Sequence, residues 1–387
     1  MTDGFVAHSL TQPSFQPLHL VVEKGTFMKA LGHCQGVVER RNTVPILSHV
    51  LLETQGTTLK VTATDLEISF VEAIPAHVHI QGSLTVSAHL LFDVVRKLPE
   101  GSEIELKTSE DGNSLLLRSG RSNYTFSCLP VIDFPTMTTE NMPCSFTLHA
   151  AELSQLIDHT KFSMATEETR FYLNGIYFHA TQDGFLKAVA TDGLRLALAQ
   201  VPVPEGAATM PGVIISRKTI YEIRKLIDEI AQDITISLSS NQILFKVGDS
   251  VLISRLIEGK YPEYQNAIPV GNDKILSVNA KGFSDAVDRI STMSTADKLR
   301  PVKMRIEGAV LSISAHGAGT GSAVEELEAN YNGEPMDFGF NARFILDVTQ
   351  QLSSSELQFL IGDETQAIIA KDAGDDSALY VLMPMRV

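Results

Sequence analysis

Hydrophobic positions along this chain follow two alternating rhythms. Six segments carry apolar residues at the three- and four-residue spacing that places them on one face of an α-helix. Around 25–38 the face is Phe27, Met28, Leu31, Cys34 and Val38; over 150–162 it is Leu153, Leu156 and Ile157; over 280–291 it is Phe283, Ala286, Val287 and Ile290. A second set is cleaner. Segment 87–98 aligns Leu90, Leu91, Val94, Val95 and Leu98, segment 216–227 aligns Ile220, Ile223, Leu226 and Ile227, and segment 341–352 aligns Phe344, Ile345, Val348 and Leu352. Ser or Asn opens these segments, where a side-chain oxygen can accept a hydrogen bond from a free helix N–H.

Between the helices the period changes to two. Leu59–Phe70, Ile234–Leu238, Ile243–Val247, Leu311–Ile313 and Leu357–Ile361 mostly alternate apolar and polar residues, as half-buried strands do. Asp111-Gly112 and Asp183-Gly184 mark turns. The cleaner helices open at 87, 216 and 341, at intervals of 129 and 125 residues. Each third therefore reads strand, helix, strands, helix, strands. That is an α+β unit, a sheet covered on one side by two helices, repeated three times in tandem. Three unrelated α+β domains would share this pattern, so the period alone leaves that alternative open.

Composition agrees with several domains. A chain of 387 residues is too long for one ordinary core, and 44% hydrophobic with 20% charged residues is a globular balance. No stretch offers the roughly 18 apolar residues of a membrane helix. The start, MTDGFVAHSLTQPSFQP, lacks the basic and apolar regions of a secretory signal and reads as a short polar extension. The three cysteines, Cys34, Cys128 and Cys144, are odd in number and form no C-x-x-C pair. A disulfide framework or zinc site is not expected, and a reducing cytoplasm is the simplest compartment.

The net charge of −15 argues against nucleic-acid binding, which usually leaves a basic footprint. Its distribution changes the picture. Segment 216–227 is +3, from Arg217, Lys218, Arg224 and Lys225 against Glu222, and the six helical segments, the first taken over 23–41, together carry +5, leaving −20 on the rest of the chain. Basic helices can meet phosphates without reading bases. The plainer alternative is that helices favour Lys and Arg while turns favour Asp.

Catalytic motifs are absent. There is no G-x-x-x-x-G-K-[ST] loop, no H-E-x-x-H pair and no G-x-S-x-G elbow. The run Gly317–Gly321 looks like a dinucleotide loop but follows a strand and lacks a βαβ setting, so it reads as a hairpin tip. The eleven histidines show no ligand spacing. Ala63-Thr64-Asp65 and Ala190-Thr191-Asp192 occupy the same point of two repeats. A repeated capping turn explains them more simply than acid–base chemistry. The ending Tyr380–Val387 is a strand finishing in Met383-Pro384-Met385. Methionines form adaptable binding surfaces, with core filling as the alternative. An α+β enzyme or a non-DNA scaffold are the competing classes.

Nine short stretches occur in order: Thr43-Val-Pro-Ile-Leu47, Ala63-Thr-Asp-Leu-Glu67, Arg118-Ser-Gly-Arg-Ser122, Asp133-Phe-Pro135, Phe171-Tyr-Leu-Asn-Gly175, Ala190-Thr-Asp-Gly193 with Arg195-Leu196, Tyr261-Pro-Glu-Tyr264, Gly339-Phe-Asn341 and Met383-Pro-Met-Arg386. Through them the chain from about Leu18 to Val387 resembles the bacterial sliding clamps, the ring-forming beta subunits of DNA polymerase III. The resemblance implies a non-catalytic, cytoplasmic processivity factor with no cofactor and no metal. It implies three clamp domains, 18–144, 145–271 and 272–387, after an N-terminal extension over 1–17. Two chains would join head to tail into a six-domain ring around double-stranded DNA. Matched positions for DNA contact are Arg41, Arg170, Phe171, Tyr172, Arg217 and Lys218. Those for a partner-peptide pocket are Leu173, Thr191, Gly193, Arg195, Leu196, Pro262, Val381, Leu382, Met383, Pro384, Met385 and Arg386. The dimer contact would use Arg121 and Tyr124 with Met293 and Ser294. Implied partners are the polymerase III alpha subunit, the clamp loader, and other polymerases and repair proteins with clamp-binding peptides, but no membrane. Leu194, Asn266 and His89 depart from the familiar pattern.

Overall fold

The helices form where the 3.6-residue rhythm places them. In the computed structural model, which describes residues 17–386 apart from 41, 140, 230–231, 295–299, 318 and 320, they are α1 Lys24–Val37, α2 Ala88–Lys97, α3 Ala150–Asp158, α4 Arg217–Glu229, α5 Ala280–Ser291 and α6 Ala342–Thr349. Their ends have local causes. The Glu23 carboxylate accepts from Gly25 N (2.8 Å) and Thr26 N (2.7 Å) to start α1. Asn279 Oδ1 accepts from Gly282 N and Asn341 Oδ1 from Arg343 N to start α5 and α6. Ser216 Oγ accepts from Thr219 N at 3.3 Å. Ser87 makes no such bond, so one of the expected caps is not used. Leu90, counted on the apolar stripe of α2, is 54% exposed, while Leu91, Val95 and Leu98 are buried. Among the described residues no helix is long and apolar enough to cross a membrane.

The chain forms two compact units, one of Met1–Pro143 with Lys225–Arg255, the other of Cys144–Arg224 with Leu256–Val387. In the first, an antiparallel sheet runs His77–Ile80, His19–Glu23, Glu103–Thr108, Ser114–Ser119, Ser122–Ser127. A second antiparallel run orders Ile234–Leu238, Gln242–Val247, Ser250–Arg255, Ile68–Pro75, Thr58–Thr64, His49–Gln55 and Ser83–Ser87. α1 packs on Thr58–Thr64, on Ile68–Pro75 and on α2, burying Phe27, Leu31 and Cys34. The single strand expected over 59–70 is two. Asp65 Oδ1 accepts from Glu67 N (2.9 Å) and Ile68 N (2.8 Å), and Leu66 takes φ +80°. A side chain satisfying nearby N–H groups competes with the ladder and turns the chain.

His33 on α1 is the buried polar node of this unit. Its Nδ1 lies 2.7 Å from Glu72 on Ile68–Pro75, and its Nε2 lies 3.1 Å from Glu229 at the end of α4. Lys29 also reaches Glu229, at 3.3 Å. Burial opposes protonation of His33, but the two carboxylates outweigh it and raise its pKa above 6.5. The stabilisation is therefore complete below pH 6.5 and is lost as pH rises through the raised native value. His33→Gln is expected to remove that slope. Urea midpoints between pH 5.5 and 8.5 that fall in parallel for parent and variant would discount the node.

The second unit holds one twelve-stranded antiparallel sheet. Its order is Val213–Ser216, Gly175–Ala180, Phe185–Thr191, Arg195–Pro202, Asp375–Leu382, Ile368–Asp372, Glu356–Ile361, Lys274–Asn279, Gly321–Tyr331, Val310–Gly317, Pro301–Glu307, Met336–Asn341. Gly317 pairs with Gly321, so the glycine run does join two hairpin strands. α3 packs on Phe185–Thr191 and Arg195–Pro202, and α5 packs on α6. Arg224 grips Asp158 with Nε at 2.9 Å and Nη2 at 2.7 Å, tying α4 to α3. The pairing of Arg195–Pro202 with Asp375–Leu382 carries the ladder from the second repeat into the third.

Candidate partner-peptide site

One turn builds the site's edge. Between Phe185–Thr191 and Arg195–Pro202, Thr191 Oγ1 donates to Arg195 O (2.6 Å) and accepts from Gly193 N (3.1 Å). Asp192 Oδ1 accepts from Leu194 N (2.9 Å) and Arg195 N (3.1 Å). Thr64 and Asp65 make the same bonds to Ile68 O, Leu66 N, Glu67 N and Ile68 N. The two Thr-Asp pairs are thus a repeated capping turn. Gly193 has φ +90°, and a Cβ there would lie 2.7 Å from Arg170 Nη1. The left-handed backbone favours glycine, although the matching turn accommodates Leu66 at φ +80°; the flexible Arg170 side chain would have to shift for any larger residue.

The C-terminal strand lies against this turn. Leu196 pairs with Val381 and Arg195 with Leu382. Beyond the strand, Met383 N donates to Leu194 O (3.0 Å) and Met385 N to Gly339 O (2.8 Å). These bonds hold the segment extended beside the turn and leave Met383 45% and Leu194 54% exposed. Beneath them Leu173, Leu196 and Val381 join Ala165, Val189, Ile214, Tyr261 and Tyr264 in one buried cluster. Tyr261 donates to Val189 O at 3.4 Å, and burial pushes its phenol pKa well up. Pro262 follows it on the surface. An apolar floor, exposed apolar shoulders and few polar groups suit an extended apolar peptide. The structure thus gathers Leu173, Thr191, Gly193, Leu196, Pro262 and Val381–Met385 at one place. Arg386 follows, exposed.

Arg195 is different. It is only 8% exposed, with Nε 3.0 Å from Asp192, Nη1 2.6 Å from Asp347 and Nη2 2.6 Å from Phe162 O. Asp347 and Phe344, its neighbours on α6, were not among the expected site residues. No local pattern marks a partner 152 positions away.

The described residues matched to DNA contact lie at the start of α4 and on the turn Glu168–Leu173, which Arg217 N approaches by donating to Asn174 O (2.9 Å). Arg217 and Lys218 line an open depression of about 540 Å³ with Ala165, Thr166, Asn174 and Tyr221, and the Arg217 guanidinium lies 5.5 Å over the Tyr221 ring. Arg170 instead binds Glu167 at 2.6 Å and sits beside Gly193 at the peptide site. Phe171 is exposed and packs edge-on to Tyr172, which touches the buried cluster. Arg41 lies outside the described residues. His89 Nε2 is 3.0 Å from Val38 O, an intrachain use of that side chain. Tyr124 stands exposed on the edge strand Ser122–Ser127, next to the turn that carries Arg121. Met293 and Ser294 follow α5, where Ser294 is buried and donates to Ser291 O (3.1 Å).

Three tandem repeats of helices on antiparallel sheet are the architecture of the DNA polymerase clamps. The family models for the DNA polymerase III beta subunit match in sequence: its N-terminal domain over residues 18–138, its central domain over 147–263 and its C-terminal domain over 265–386. The chain belongs to this family, the beta sliding clamps, whose members are non-catalytic processivity subunits of DNA polymerase III. The beta sliding clamp of Caulobacter vibrioides is 42% identical over 373 residues, 96% of this chain and all of the relative. That of Escherichia coli K12 is 35% identical over 371 residues, with the same coverage. Among solved structures, the Bartonella birtlesii sliding clamp bound to griselimycin superposes with TM-score 0.93 at 44% identity, covering 96% of this chain and all of that one. The Caulobacter crescentus clamp gives 0.90 at 41%, with the same coverage.

Proposed function

We propose that this chain closes head to tail with a second copy into a six-domain ring around double-stranded DNA. The ring slides without reading sequence and tethers partners by their peptides. Those partners are the polymerase III alpha subunit, the clamp loader, and other polymerases and repair proteins, in the cytoplasm. Domains bounded at 18–144, 145–271 and 272–387 would supply two helices each to the inner wall. Arg121 and Tyr124 of one copy would meet Met293 and Ser294 of the other. The observation that carries the tethering role is the pair of exposed apolar side chains Leu194 and Met383, held together by the Met383 N–Leu194 O bond over the buried cluster of Leu173, Leu196 and Val381.

DNA is held by phosphate contact alone, so it must stay exchangeable. Arg217 and Lys218 are the clearest contributors, joined by Arg41, Arg170, Phe171 and Tyr172. The direct test is topological. Protein loaded on nicked circular DNA should remain through gel filtration and leave once the circle is cut. Retention on linear DNA would count against a sliding ring. Arg217→Glu with Lys218→Glu should weaken DNA association most at low salt and flatten the log–log salt slope by about 2. A loss of equal size at every salt concentration would rule out phosphate contact by this pair.

A further inference from the structure

The Arg195 guanidinium, on the turn that edges the site, has a partner at each of its three nitrogens. Its three nitrogens point at Asp192 Oδ2 (3.0 Å), Asp347 Oδ2 (2.6 Å) and Phe162 O (2.6 Å). Its plane is bracketed by Phe344, 4.4 Å from the ring centre, and Phe162, at 5.3 Å. Such a group cannot swing toward a docked peptide without giving up ion pairs to two partly buried carboxylates. Two of its four neighbours, Phe344 and Asp347, belong to α6 in the third repeat. The others belong to the second.

Arg195 is also the first residue of the strand that pairs with Asp375–Leu382, opposite Leu382. One residue earlier, Leu194 O receives Met383 N. Whatever fixes the Arg195 side chain therefore fixes the spacing of Leu194 and Met383, the two exposed shoulders of the site. Asp192 holds the guanidinium from within the same turn. Asp347 holds it from another element, and with the Phe344 ring it ties the turn to α6, Asp347 supplying the charge.

We infer that Asp347 is a positioning residue for the peptide site, acting through Arg195 to latch the Thr191–Arg195 turn to helix α6. The latch needs an anion at that reach. A neutral amide keeps one hydrogen bond and loses the charge. The inference rests on the reading of this site as the partner pocket. It adds that peptide affinity depends on a helix whose own side chains need not touch the peptide. It also gives α6 a route by which its position is felt at the pocket.

The test uses full-length protein and griselimycin as probe, the ligand carried by the Bartonella birtlesii clamp. Affinity and dissociation rate are measured well below the thermal midpoint, so that only folded protein is sampled. Asp347→Asn should bind about tenfold more weakly, chiefly through faster dissociation, and Asp347→Glu should recover most of the loss. Combining Asp347→Asn with Asp192→Asn should cost less than the sum of the two, because both hold one guanidinium. A merely structural role would lower the melting temperature and leave the affinity of the folded protein unchanged; that result overturns the latch. A chain cut after Leu382 separates the two levels. If the truncation abolishes probe binding and Asp347→Asn binds like the parent, the latch fails and the pocket stands. If the truncation binds normally, the pocket reading fails and the latch falls with it.

Discussion

Deleting Met383–Val387 is expected to abolish partner-peptide binding while leaving the dimer intact. The deleted segment supplies Met383 and the backbone bonds to Leu194 O and Gly339 O that hold it in place. The floor of Leu173, Leu196 and Val381 survives, so the fold should persist. What goes is one wall. Burying a methionine side chain stabilises a complex by about 1.5–3 kcal/mol, so losing Met383 and Met385 together should cost more than about a hundredfold in affinity. Fluorescence anisotropy with a labelled peptide from the polymerase alpha subunit reads this directly. Undiminished affinity in the truncated chain would refute the assignment. Met383→Ala with Met385→Ala keeps the backbone and should lose less.

Asp372→Ala should lower stability by about 3 kcal/mol, by leaving several N–H groups without their acceptor. Asp372 ends Ile368–Asp372, just before the strand that runs into the peptide site. Its carboxylate accepts from Ser353 N (2.8 Å), Ser354 N (2.9 Å) and Gly374 N (3.0 Å). It thereby pins the exit of α6 to the turn that launches the C-terminal strand. Burial works against its ionisation, but these hydrogen bonds win and hold its pKa well below 3.8. The sign follows. Its contribution is fully present above pH 3.8 and is lost as pH falls through the depressed native value. Asp372→Asn, which keeps one acceptor oxygen, should sit between parent and Ala. Urea denaturation at pH 7 and below pH 4 tests both parts. An Ala variant as stable as the parent at pH 7 would show that water replaces the carboxylate at no cost.

Local pattern carried most of the architecture because helices and half-buried strands announce their own period. All six helices were legible, since each buries one stripe. Even so, α2 turned out narrower than its stripe: Leu91, Val95 and Leu98 face the core, while Leu90 lies on the stripe's outer edge and is exposed. The strand read over 59–70 failed for a related reason. Its apolar residues continue past Asp65, yet the carboxylate of that residue turns the chain before Ile68. The recurrence of the same Thr-Asp pair at 191–192 was legible as a turn, and the bonds of the two turns match one for one.

The residues around the peptide site were only partly readable. Leu173, Leu196 and Val381 were found by family resemblance, and cross-strand pairing and packing bring them together. Arg170 was placed with the DNA contacts by family resemblance. In space its guanidinium lies against Gly193, and Glu167 holds it there.

Sequence alone determined the three repeats, their helices, their capping turns and the family, because each depends on residues a few positions apart or on motifs in fixed order. Tertiary structure decided which charges are free to meet a ligand and which are spent inside the fold. Arg195 shows the difference. Its charge is visible in the sequence, but its work is set by Asp347, 152 residues on, and an ion pair depends on distance in space, which falls within bonding range only after the second and third repeats have joined their sheets.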